Sequence, residues 1–147
     1  MHPIHPMLVH FPIALLSASV FFDLLAQRWR PEECRTAGLY TLVLGLAGAL
    51  VSVVSGAMAE EAVEHSGVPK RVLEIHETLG FATFWLFTGL FGLRVTAWFG
   101  WTKERRLVSL ALGLTGVAVL LVASYYGGSL VYEFGAGVLN RPQQSIP

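Results

Sequence analysis

Four long apolar runs leave this chain almost no room to be a water-soluble domain. They span roughly Met7–Ala26, Ala37–Ala59, Thr78–Phe99 and Leu107–Val131. A hydrocarbon core about 30 Å thick takes about 20 residues of helix, and each run is long enough. Helix follows because lipid offers no partner to an open backbone. Composition agrees: 54% of the 147 residues are hydrophobic and 14% charged, against about a quarter charged in a soluble domain. Mean hydropathy is +0.58. The runs use most of the chain, so the expectation is one all-α domain over 1–147. It would be an integral membrane four-helix up-and-down bundle with helices roughly 7–26, 37–59, 72–99 and 107–131.

Charge sets the expected orientation. Net charge is zero, which argues against nucleic acid as a partner. The loop after the first run carries Arg28, Arg30 and Arg35, and the loop after the third carries Lys103, Arg105 and Arg106, with Arg94 nearby. The other side has only Lys70, Arg71 and Arg141. Excess Lys/Arg marks the cytoplasmic side. Both termini are therefore expected outside, facing the periplasm from a bacterial inner membrane. No cationic stretch precedes the first run and no small-residue cleavage motif follows it, so the first helix is expected to be the targeting element. Cys34 is the only cysteine, which excludes a disulfide or a thiolate metal centre within one chain.

Small residues recur on two helices. One stripe holds Gly38, Thr41, Gly45, Gly48, Ser52 and Gly56; the other holds Ser109, Gly113, Gly116, Ala123 and Gly127. Spacings of three and four keep each stripe on one face. Such stripes let helices approach closely in lipid, and they could also make room for a flat cofactor. Trp29, Trp98, Phe99 and Trp101 mark the inner helix ends as interfacial aromatics. Asp23 lies inside the first apolar run, where an ionisable group needs a partner. Arg28, Arg35 and Arg94 are the candidates for an ion pair.

The groups able to carry chemistry gather at the outer ends. His2, His5 and His10 precede or open the first run; Glu60, Glu61, Glu64 and His65 close the second; His76 and Glu77 open the third; Glu133 follows the fourth. Pro6 suits a first helical turn, and Pro12 would be tolerated or cause a mild kink. His10 then falls about one turn inside the helix, above Ala14 and Ser17. His76 similarly has Gly80 and Thr83 beneath it. An imidazole at that depth needs a metal, a carboxylate or water. Glu61 and His65, four residues apart, could reach one ion.

Three readings follow. A b-type haem needs one or two axial imidazoles and slim helix faces; His10 and His76 meet that need, giving an electron-transfer protein between a quinone or respiratory complex and a periplasmic partner. A non-haem ion (zinc, iron, manganese or copper) needs three or four ligands. His10, His76, Glu60, Glu61 and His65 could supply them, with His5 and His2 in reach. Such a site would serve metal handling or a zinc-type hydrolase with Glu61 or Glu77 as base. The third reading is a cofactor-free accessory subunit, whether in a larger complex or a homo-oligomer.

The opening His2-Pro-x-His5-Pro-Met-Leu-Val-His10-Phe-Pro-Ile resembles the start of the DUF2231 family of bacterial membrane proteins. The acidic end of the second helix after Gly56 and the His76-x-x-x-Gly80 opening of the third are similar to that family too. So is Gly127-Gly128-x-Leu-Val-Tyr132-x-x-Gly135, and the likeness covers essentially the whole chain. The resemblance implies a four-helix membrane protein, with relatives joined to Rieske iron–sulfur or cytochrome c modules and so a link to respiratory electron transfer. The family pattern has a further His just before the last Gly; Phe134 stands there. A second haem or a four-His site would lack that ligand unless Glu133 or His65 replaced it.

Overall fold

The computed structural model describes residues 4–64, 67–103 and 105–136, with 60–64 described by backbone alone. Among these residues the chain is helical: α1 (Ile4–Leu8), α2 (His10–Leu25), α3 (Pro31–Glu64), α4 (Lys70–Trp98) and α5 (Arg106–Tyr132). The segments Ile4–Leu25, Pro31–Ala59, Lys70–Trp98 and Arg106–Tyr132 are each long and apolar enough to cross a membrane. Only about a fifth of the residues in each span are buried. The rest expose side chains such as Leu44, Leu50, Phe81, Trp85 and Leu121, as expected where the surrounding solvent is as apolar as the helix surface.

The helices outrun the apolar stretches, and the reasons are local. α3 starts at Pro31, six residues before the apolar run. Proline costs nothing in a first turn, and Glu32 and Glu33 behind it favour the positive end of the helix dipole. α1 and α2 are parted only at Val9, three residues before Pro12. Pro12 has no N–H to offer the Leu8 carbonyl and its ring crowds that turn. The bonds on either side persist, from Val9 N to His5 O and from Ile13 N to Val9 O, both 3.2 Å. Pro12 therefore disturbs one turn and the segment continues.

Contacts pair the start of one helix with the end of the next. Along α2 and α3, Phe11 and Pro12 meet Gly48, Leu16 meets Gly45, and Asp23 meets Gly38. Along α4 and α5, His76 meets Gly127, Phe87 meets Gly116, and Leu90 meets Gly113. The stripes of small residues thus face α2 and α4 and admit their side chains. Leu16 and Val20, Leu42 and Ala49, Phe87 and Leu90, and Leu120 form a central core drawn from all four long helices. A smaller cluster of Val68, Leu73, Leu130 and Ala136 closes one end.

Candidate functional site

Among the described residues, the α1–α2 segment and α4 meet through polar side chains near both ends of the bundle. At the arginine-rich end Arg94 donates to the Asp23 carboxylate. It also reaches the Ser19 hydroxyl at 3.0 Å and the Gly38 carbonyl at 3.2 Å, and Ser19 donates to that same carbonyl at 2.8 Å. Both charged side chains are about seven-eighths buried. Gly38 lets the helices come close there: a Cβ would stand a tight 3.2 Å from the Asp23 carboxylate and 3.3 Å from the Ser19 carbonyl. The partner of Asp23 among the three arginines is thus Arg94.

At the other end the imidazoles of His5 and His76 face one another edge to face, their centroids 6.2 Å apart and their planes at 80°. Helix geometry explains the placement. Eighteen residues separate His5 from Asp23, and eighteen separate His76 from Arg94. That is five turns of α-helix, so each histidine shares a helix face with its charged counterpart about 27 Å away. The distance is close to the thickness of a hydrocarbon core. His5 heads the buried stripe Pro12, Leu16, Ser19, Val20, and His76 heads Thr83, Phe87, Leu90.

Each ring is fixed through its Nδ1. His76 Nδ1 lies 3.0 Å from the Ala123 carbonyl. A carbonyl only accepts, so this nitrogen carries the proton and the neutral ring keeps its lone pair on Nε2. His5 Nδ1 lies 3.0 Å from the Ser55 hydroxyl, whose own proton goes to the Ser52 carbonyl at 3.0 Å. Ser55 therefore accepts from His5, which again leaves Nε2 as the open nitrogen. Glycines cradle both rings. A Cβ at Gly56 would come within 3.2 Å of His5 Cε1, and one at Gly127 within 2.9 Å of His76 Cε1.

Two further features lie beside the pair. The Ser52 hydroxyl, one turn before Ser55, is buried with no hydrogen-bond partner among the described residues. A helical serine ordinarily bonds a carbonyl one turn back, and an orphaned buried hydroxyl costs about 1–3 kcal/mol. Gly80, one turn below His76, has open space where a side chain would be.

The remaining candidates are placed differently. His10 is exposed at the start of α2. Its helix face continues through the exposed Ala14 and Phe21 and turns away from the core stripe. Among the described residues, then, the imidazole that faces His76 belongs to His5. Glu77 is half-buried, while Glu133 is exposed and accepts from Ser129 at 3.3 Å. Glu60, Glu61 and Glu64 lie on the last turns of α3, but their side chains, like His2 and His65, fall outside the described residues. Among the described residues no group of three or more His, Cys, Asp or Glu is arranged to hold a metal ion.

A family model described as "Predicted membrane protein (DUF2231)" matches residues 1–140. No curated protein and no solved structure matches the chain.

Proposed function

The chain belongs to the DUF2231 family of predicted membrane proteins, and on that footing we propose that it is an integral membrane electron-transfer protein. Its cofactor would be a b-type haem held by His5 and His76. The helices form an up-and-down bundle with both termini and the histidine pair at the periplasmic face of a bacterial inner membrane. The side with the fewest lysines and arginines is the outer one. When bound, haem iron supplies one-electron transfer, which suits a quinone or a respiratory complex as partner.

The observation that carries this reading is the spacing of the two imidazoles. Two imidazoles that hold one metal through Nε2, with metal–nitrogen bonds of about 2.0–2.1 Å, have centroids about 5–6 Å apart. The 6.2 Å found here is close to that separation. The donor set fits as well: both Nδ1 atoms are engaged, by a serine and by a backbone carbonyl, the outer contacts that orient ligating histidines. Gly80, one turn below His76, leaves open space, and the buried Ser52 hydroxyl, one turn before Ser55, could offer a polar contact.

Two histidines complete the protein's share of such a haem. A four-coordinate ion would need further ligands, for which Glu60, Glu61, Glu64 and His65 are the nearest in sequence. The test is an optical spectrum of the detergent-purified protein, oxidised and then reduced with dithionite, with metal analysis of the same sample. A Soret band that shifts on reduction, with about one iron per chain, supports the haem reading. A colourless sample with stoichiometric zinc, manganese, copper or iron moves the assignment to a non-haem ion. A colourless, metal-free sample that stays so after haem is added overturns both.

A further inference from the structure

The end of the bundle opposite the histidines holds a half-open cavity of about 450 Å³ to which α2, α3, α4 and α5 all contribute. The volume is in the range of small-molecule sites, about 300–1,000 Å³, and far exceeds what one bare ion fills. Its charge is lopsided. Among the described lining residues, Arg35, Arg94, Arg105 and Arg106 stand against two carboxylates, Asp23 and Glu32. The arginines are graded by depth: Arg94, paired with Asp23, is the most buried, Arg35 is half-buried, and Arg105 and Arg106 are exposed. Leu39, Leu93, Ala97 and Leu110 add apolar wall between them.

The start of α5 reinforces the asymmetry. A helix N-terminus carries positive partial charge and favours acidic residues, yet α5 begins Arg105-Arg106 with no acidic residue in its first turn and no side-chain cap. α3 begins at the same end, with Glu32 and Glu33 in its own first turn. Low-dielectric walls strengthen the attraction of these arginines for an anion.

We infer that this cavity binds a phosphate-bearing anion, its guanidinium groups pairing with the phosphate oxygens and its apolar wall accepting the carbon skeleton. Arginine is suited to the task, because its planar fork meets two phosphate oxygens at once. Trp98, one of the exposed aromatics that mark the headgroup level, lines the cavity. An anionic phospholipid headgroup is therefore the nearest source, and free phosphate is the other. Nothing in this assignment depends on the cofactor at the opposite end.

Thermal unfolding of the full chain in zwitterionic phosphatidylcholine nanodiscs tests it, with phosphatidylglycerol or millimolar inorganic phosphate added separately. A raised midpoint with phosphatidylglycerol alone supports a lipid headgroup, and a rise with phosphate supports the site with a soluble anion as its source. Either rise must vanish in Arg105→Gln/Arg106→Gln. If that variant fails to fold, Ala97→Leu, which narrows the cavity without altering charge, must remove the rise instead. Unchanged midpoints with both ligands, or a rise that survives in a folded variant, overturn the inference.

Discussion

The difference between His5 and His10 is a difference of helix face. Residues five apart are separated by about 140° around a helix, so the two imidazoles cannot both look into the bundle. His10 lies above small residues, which makes its face look like a slot. The face that turns inward is the one carrying Pro12, Leu16, Ser19 and Val20, and His5 heads it. The informative signal was the continuation of a large-residue core stripe, not the presence of small neighbours. At the same scale, Gly127 holds the His76 ring in place. Gly127→Ala would put a methyl 2.9 Å from His76 Cε1, forcing the ring or the helix to shift. The expected result is at least a tenfold loss of haem affinity in a haem titration, with the helix content in far-UV circular dichroism kept. Ser55→Ala, which removes the acceptor of His5 Nδ1, should weaken binding less, by about 1 kcal/mol.

Among the elements, α3 and α5 are lined with small residues while α2 and α4 carry the groups that fill the gaps. Leu16 sits against Gly45, Phe87 against Gly116, and a histidine against Gly56 and Gly127. One stripe therefore does two jobs at different depths, packing the core at mid-bundle and seating the imidazoles at one end. The four spans and these stripes were legible in the sequence because apolar length and three-to-four spacing are properties of single helices. Which residue fills which gap depends on how two helices register, and no single run carries that information. Gly116→Ala tests the packing role. The added methyl would lie 2.9 Å from the fully buried Phe87 ring, and overpacking of this kind costs about 1–3 kcal/mol. A lowered unfolding midpoint with an unchanged spectrum is expected. Gly80→Ala, where a methyl meets nothing within 4 Å, should leave the midpoint unchanged but disturb a bound haem.

Across the whole molecule, the bundle is fastened at both ends by contacts between the same two segments. His5 and His76 form one and Asp23 and Arg94 the other, five helical turns apart. The paired spacing of eighteen residues is present in the sequence, but it acquires meaning only once α1–α2 and α4 are known to lie across the bundle from one another and to run in the same direction. The ion pair was expected for Asp23, with its partner left among three arginines. Arg94 is the partner because it lies within α4 opposite Asp23, five turns along the face of His76. Removing one member of a buried pair costs about 3–5 kcal/mol, whereas replacing both with apolar groups costs far less. Asp23→Asn and Arg94→Met should each lower the unfolding midpoint sharply, and a Asp23→Leu/Arg94→Met double variant should recover much of that loss.

The histidine centre is where function and fold meet, and three single variants decide it. Reduced-minus-oxidised difference spectra would be recorded for the purified wild-type protein, His5→Ala, His76→Ala and His10→Ala, each with haem content per chain. The account predicts a haem signal in the wild type, its loss or conversion in His5→Ala and His76→Ala, and its retention in His10→Ala. A wild type without haem, or a signal that survives in His5→Ala but disappears in His10→Ala, would contradict it.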